Sequence, residues 1–251
     1  MTLGLPAEIR ACLFDLDGVI TDTTFLHVAA WKEAFDTLLR QHEGNGFRPF
    51  AADTDYAEFI ESRPSAEGAR CFLSSRGIEL PDGSPDDSPG LDTVHGLVRR
   101  KNGLYEARIR SQGAEVCPGT IAYVKAVREQ GLLTAVVTSS ANCREILRAA
   151  GVETLFDAWI DGVVAASRNL RRKPYPDMFL AAARDLGQHS TQCAVFEDAQ
   201  AGMDAGRSGH FGWVVGVART GPAGALYAHG ADVVVKDLGD LAGTPERRSR
   251  P

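Results

Sequence analysis

The sequence predicts an α/β fold: a doubly wound parallel sheet covered by helices, with an α-helical domain inserted after its first strand. Three observations carry this expectation. Short apolar runs without polar alternation, such as Ala11 to Phe14 and Cys193 to Phe196, suit strands buried on both faces. After Pro118-Gly119 such runs alternate with helical periodicity, the pattern of βαβ units. From about residue 24 to residue 114, by contrast, helical patterning dominates, although a strand precedes it.

In order along the chain, a short lead-in to Arg10 precedes the first strand, Ala11 to Phe14. Thr21, Asp22 and Thr23 offer N-caps for a helix whose apolar positions, Phe25, Val28, Ala29, Phe35, Leu38 and Leu39, follow helical spacing. Gly44-Asn45-Gly46 ends it. Further helices are expected over Asp53 to Ile60, Ala66 to Arg76 and Asp92 to Arg110. The Pro-, Gly- and Asp-rich stretch Pro81 to Gly90 is expected to be a mobile loop within that helical unit. The second half then reads as helix Ile121 to Glu129, strand Leu132 to Thr138, helix Cys143 to Ala150 and strand Ala158 to Ile160. Helix Asp177 to Leu186, strand Cys193 to Phe196, helix Ala199 to Ser208 and strands Trp213 to Val217 and Asp232 to Val235 follow. The expected division is a discontinuous core, residues 1–23 and 115–243, a helical cap, 24–114, and a disordered Arg- and Pro-containing tail, 244–251.

Composition narrows the function classes. With 251 residues, 44% hydrophobic and 24% charged, the chain has material for one main core and a smaller second one. A formal charge of −6 gives no general attraction to nucleic acid or to an anionic membrane, so an anionic substrate must be held by local cations. Apolar runs of strand length fall short of a membrane span, and the N-terminus lacks a basic region followed by a hydrophobic one. The five cysteines are scattered without a Cys-x-x-Cys pair and read as buried residues. A cytoplasmic monomer acting on a small molecule is the expectation.

The candidate chemistry lies where apolar strands end. Asp15 and Asp17, two residues apart in extended backbone, project to one side after a buried strand, with Gly18 following. Thr138-Ser139-Ser140-Ala141-Asn142 places a hydroxyl and backbone N–H groups at a sheet edge beside a helix start, an arrangement able to cradle phosphate oxygens. Lys173 precedes a proline that blocks helical continuation and is thus presented from a turn, with Arg172 as a rival cation. Glu197-Asp198 repeats the opening logic of a buried strand delivering acids.

Asp15-Leu16-Asp17-Gly18-Val19-Ile20-Thr21-Asp22-Thr23 resembles the signature of haloacid dehalogenase-type phosphotransferases, and within them the β-phosphoglucomutase-like family. The four clusters occur in that family's order over residues 11 to 217. The resemblance implies a Rossmann-like core with an inserted helical cap, Asp15 as the nucleophile that becomes an aspartyl-phosphate, and Asp17 as the acid–base. It implies Thr138 as the phosphate-binding hydroxyl, Lys173 as the neutralising cation, and Ser139, Ser140 and Asn142 as substrate contacts. Four carboxylates converging on a phosphate repel unless a cation intervenes. Mg²⁺ bound by Asp15, the Asp17 main-chain carbonyl, Asp198 and Glu197 is therefore expected.

Around and within the insertion, Thr23, His27 and Trp31 match positions of that family near the substrate or the acid–base Asp, and Lys101 and Asn102 match its cap lysine and asparagine, which implies substrate contacts. Lys32 neighbours Trp31. One departure stands out: where the family carries an arginine for the distal phosphate, Ser62-Arg63-Pro64-Ser65 places Ser65, and Arg63 or Arg70 is the expected substitute. The implied reaction interconverts β-glucose 1-phosphate and glucose 6-phosphate, with glucose 1,6-bisphosphate as intermediate or primer. A sugar-phosphate phosphatase of the same fold is the alternative. A non-enzymatic phospho-receiver is the remote one, since a receiver needs neither the helical insertion nor Asp17.

Overall fold

The computed structural model describes residues 2–60, 63–113, 115–140, 142–219 and 223–245. The chain forms two compact units, Met1–Asp22 with Ala114–Pro251, and Thr23–Gly113.

In chain order, the first unit opens with β1 (Ala11–Phe14) and the two-residue β2 (Thr21–Asp22). The second unit holds α1 (Thr24–Glu43), a π-helical turn (Tyr56–Ile60), α2 (Ser65–Ser75) and α3 (Val94–Gln112). The first unit resumes with β3 (Glu115–Val116), α4 (Pro118–Glu129), β4 (Leu133–Val137), α5 (Cys143–Ala149), β5 (Ala158–Ile160) and α6 (Gly162–Ser167). It ends with α7 (Asp177–Asp185), β6 (Cys193–Glu197), α8 (Gln200–Ser208), β7 (Trp213–Val217), α9 (Ala223–Ala228) and β8 (Val233–Val235).

Six strands pair in the order β5-β4-β1-β6-β7-β8, all parallel. The order runs outward in both directions from β1, so the switch point that opens a crevice in such sheets falls beside the end of β1. All four residues of β1 are fully buried. Ala11 and Leu13 join one core with β4, β6 and α7. Phe14 is stacked on Phe196 at 4.5 Å and meets Phe156 edge-on. Burial on both faces is what the absence of alternation in this run predicts.

Some local expectations are corrected. Thr21 and Asp22 are not helix caps but pair antiparallel with Val116 and Glu115. Thr23 precedes α1 without a capping side-chain hydrogen bond. The helix expected from Ile121 begins at Pro118, where the missing N–H costs nothing because the first turn leaves it unpaired. Helices α6 and α9 were not expected from the pattern, being only six residues each. Of the expected tail, residues 246–251 lie outside the described residues.

The helical unit has its own core, in which Trp31, Phe35, Phe50 and Phe72 are buried. Phe35 sits at its centre, 4.9 Å from Trp31, 5.1 Å from Phe50 and 4.3 Å from Phe72 between ring centres. The Pro81 to Gly90 stretch is irregular, as its composition predicts. Its first residues are tied to the start of α3, where Val94 and His95 donate to the carbonyls of Pro81 and Asp82. Replacing Phe35 by alanine is expected to lower unfolding free energy by about 3–5 kcal/mol in a denaturant titration. A change within experimental error would contradict this assignment of the core.

Candidate active site

Two neighbouring strands deliver the acids, and a third supplies a main-chain carbonyl. Phe14 of β1 stands opposite Phe196 of β6 and Val136 of β4. One residue further along each strand brings Asp15, Glu197 and Val137 to a common level at the carboxyl edge. Lys173, from the segment between α6 and α7, donates to Asp15 Oδ1 at 2.5 Å, to the Val137 carbonyl at 3.1 Å and to Glu197 Oε1. Its Nζ also lies 4.9 Å from the centre of the Phe179 ring. Arg172 is exposed, so Lys173 is the counter-ion of Asp15.

The acids are held by backbone. Glu197 Oε2 accepts from the N–H groups of Asp198 and Ala199, both at 3.1 Å. A Cβ on Gly202 of α8 would fall 1.9 Å from Glu197 Cδ, so the carboxylate occupies room that any larger residue would fill. Gly18 has φ +80°, and a Cβ there would fall 1.9 Å from Asp198 Oδ2. Glycine at 18 thus serves both the left-handed turn and the approach of Asp198. Ligand oxygens of Asp15, Glu197 and Asp198 lie within 4.8 Å of one another.

Three carboxylates around one ammonium leave a negative excess in a dry site. Loss of water, helped by Glu197 and Asp17 and opposed by Lys173, pushes Asp15 up to about 8. Asp198 is driven well above the usual carboxylate range by desolvation first and by Glu197 and Asp15 next. Lys173 moves up: burial acts to lower it, and the two carboxylates outweigh that. Asp17 is half-buried, and its backbone bridges to Thr21.

Beyond β4, Thr138 is buried and its Oγ1 accepts from Ser140 N–H at 3.1 Å, leaving the hydroxyl proton to donate elsewhere. Ser140 Oγ accepts from Asn142 N–H at 3.3 Å. These two N–H groups, expected to be free for a phosphate, are engaged by hydroxyls, because Ser and Thr close such turns on their own backbone. Ser139 is exposed, Asn142 precedes α5 without a capping side-chain bond, and Ala141 lies outside the described residues.

Within the helical unit a second cluster forms. Lys101 is 4% exposed, donates to His27 Nδ1 at 2.7 Å and reaches Asn102 Oδ1 at 3.4 Å. Its Nζ lies 5.6 Å from the Trp31 ring centre and 5.3 Å from that of Tyr105, which stacks on His27 at 4.0 Å. Since an ammonium only donates, His27 is neutral with its proton on Nε2, and burial and Lys101 hold its pKa well below the usual value. Buried Thr23 accepts at its carbonyl from Leu26 and His27. Exposed Arg63 donates to the Glu58 carbonyl at 2.5 Å, Arg70 pairs with Asp82 at 2.6 Å, and Lys32 with Asp36 at 2.9 Å. Tyr105 was missed by the sequence reading, although its place one helical turn beyond Lys101 puts both on one face.

Fold and site together define an enzyme of the doubly wound α/β class, with an acid–lysine centre at the sheet's switch point. The haloacid dehalogenase-like hydrolase family matches residues 9–210. The chain is 48% identical over 245 residues to a beta-phosphoglucomutase of Mycobacterium bovis, covering 95% of this chain and 94% of the relative. It is 31% identical to the beta-phosphoglucomutase of Bacillus subtilis over 93% and 92% of the two chains. The crystal structure of a beta-phosphoglucomutase from Clostridium difficile shares the fold, with TM-score 0.63, 24% identity and 94% coverage of each chain. The protein belongs to the haloacid dehalogenase-like hydrolase family, in its β-phosphoglucomutase-like branch.

Members of this family generally use Mg²⁺, and the residues present fit it. Asp15, Glu197 and Asp198 offer hard oxygen donors in one cluster whose negative excess a divalent cation offsets. The crowding gives a stability prediction. Asp198→Asn is expected to raise the unfolding temperature of metal-free protein by roughly 2–4 °C, the shift for about 1 kcal/mol. It is also expected to abolish the rise that Mg²⁺ gives the unsubstituted protein in thermal melts. An equal Mg²⁺-dependent rise in both proteins would contradict the assignment.

Proposed function

We propose that the protein interconverts β-glucose 1-phosphate and glucose 6-phosphate by way of an acyl phosphate on Asp15. The observation that carries this reading is the buried Lys173 ammonium bonded at once to Asp15 and Glu197, with Asp198 in the same cluster. The 48% identity to a beta-phosphoglucomutase supports the choice of reaction.

In this reading an Asp15 oxygen attacks phosphorus in line as the bond from phosphorus to the sugar oxygen breaks. Asp17 gives its proton to the departing oxygen. In the return half, Asp17 takes the proton of the other sugar hydroxyl, whose oxygen attacks the phosphoryl group and releases Asp15. As primer, glucose 1,6-bisphosphate gives up the phosphoryl group in the first half; in the return half the 6-hydroxyl of β-glucose 1-phosphate accepts it, forming the bisphosphate again, from which Asp15 takes the 1-phosphoryl group and releases glucose 6-phosphate. Lys173 offsets the charge of the transferring group, and the Thr138 hydroxyl donates to one of its oxygens. Ser139, Ser140 and Asn142 meet the substrate beside it. Mg²⁺, held by Asp15, Glu197, Asp198 and the Asp17 carbonyl, supplies positive charge to the phosphoryl oxygens when bound. In the helical unit, Thr23, His27, Trp31, Arg63, Lys101 and Asn102 recognise the sugar phosphate. A cytoplasmic monomer is part of the same reading, in keeping with five free cysteines.

A second reading, a sugar-phosphate phosphatase, draws on one observation. The two arginines able to replace the one absent at Ser65 are already engaged, Arg63 by Glu58 and Arg70 by Asp82. Incubation with Mg²⁺, β-glucose 1-phosphate and glucose 1,6-bisphosphate separates the two. Glucose 6-phosphate without stoichiometric free phosphate is the expected result, and free phosphate without isomer would establish the phosphatase. Under the same assay Asp17→Asn is expected to lower kcat by about 10²–10⁴-fold.

A further inference from the structure

Arg219 follows β7 and lies more than 200 residues from the Asp15–Asp17 motif in sequence, yet its guanidinium is spent on that motif's turn. Nε donates to the Gly18 carbonyl at 3.1 Å, and Nη2 donates to the Val19 carbonyl and to Thr120 Oγ1, each at 3.1 Å. Nη1 is paired with Asp237 Oδ2 at 2.7 Å. Thr120, buried on α4, donates in turn to the Val19 carbonyl at 2.8 Å. Asp237 is itself fixed: its Oδ1 accepts from Gly239 N–H at 2.8 Å, and it packs so closely on Gly119 that a Cβ there would fall 1.7 Å away.

The turn so gripped is short and closed by its own hydrogen bonds. Gly18 N–H donates to Thr21, and the N–H groups of Ile20 and Thr21 and the Thr21 hydroxyl all donate to the Leu16 carbonyl. The Gly18 and Val19 carbonyls face the other way and are received by Arg219 and Thr120. The held Gly18 carbonyl fixes the peptide plane on one side of Gly18 Cα, and the Gly18 N–H bond to the Thr21 carbonyl at 2.8 Å fixes the plane on the other side, which ends at Asp17. On its inner side the same turn abuts the Asp198 carboxylate at Gly18. Only a planar, multiply donating fork spans two carbonyls and a carboxylate together; a lysine is a single point charge.

We infer that Arg219 is a positioning residue for the reaction: by fixing the Gly18–Val19 carbonyls it holds Asp17 in the place from which it exchanges a proton with the sugar oxygen. The inference rests on the proposed role of Asp17. It differs from a brace for the fold, because its loss falls on kcat through Asp17 and not on folding alone.

The test is a double-substitution cycle on the full chain with Mg²⁺, scoring turnover of β-glucose 1-phosphate to either glucose 6-phosphate or free phosphate, alongside thermal melts. Arg219→Ala is expected to lower kcat about ten- to a hundredfold, with KM within about twofold, and to lower it by less than about twofold further when Asp17→Asn is already present. Arg219→Lys, which keeps a charge for Asp237, is expected to melt close to the unsubstituted protein and still lose kcat at least about fivefold. It replaces alanine in the cycle if Arg219→Ala does not fold. Undiminished kcat in either variant, or a loss that multiplies fully with Asp17→Asn, overturns the inference while leaving the proposed function standing. An unsubstituted protein that turns over no sugar phosphate overturns both.

Discussion

Two charged groups, the Lys173 ammonium and the Asp15 carboxylate, set the terms for the rest of the core. Both are nearly out of water, with side chains 11% and 10% exposed, and neither is tolerable there alone. Glu197 shares the same ammonium, and Asp198 adds a third acid. One positive charge against three negative ones is an arrangement that folding by itself would not favour. In the proposed reading it is retained because a centre that receives a cation and a phosphoryl group has to be built with negative charge to spare and a fixed lysine to balance the transfer.

Sheet topology makes this crowding possible. Parallel strands point their carboxyl ends the same way, and the outward winding from β1 sets the ends of β4, β1 and β6 side by side. Apolar burial of the strands then fixes where the acids emerge: Phe14 and Phe196 stack within the core, and the next residue on each strand is Asp15 or Glu197. Rigid packing one residue away holds the acids against their mutual repulsion. Glycines at 18 and 202 remove the atoms that would otherwise stand where carboxylates must lie.

Much of this was legible in the sequence because the signal is local. A buried apolar run ending in acids is readable at Ala11 to Asp17 and again at Cys193 to Asp198, and Lys173-Pro174 marks a cation outside a helix. What was not legible is either too short or too distant. The β2–β3 pair involves two residues on each side and carries no periodicity, so Thr21 and Asp22 read as caps. The hydroxyls of Thr138 and Ser140 close on nearby N–H groups, a choice decided by loop geometry. Arg219 meets Gly18 only after the sheet is assembled, and no spacing rule reaches that far. Tyr105 is an intermediate case, visible as an aromatic one turn beyond Lys101 but indistinguishable from a core residue until His27 is seen stacked on it.

The helical unit shows the same economy with opposite charge. Lys101 is buried, and its ammonium meets a neutral imidazole, an amide oxygen and two ring faces. The proposed catalysis turns on a covalent bond to one carboxylate, and the most direct measurement is to trap it. Protein mixed with Mg²⁺ and glucose 1,6-bisphosphate, reduced with borohydride and digested, is expected to yield the peptide spanning Asp15 with homoserine at that position. Continued turnover with Asp15 unmodified, or with the reduced residue found at another aspartate, would contradict the account.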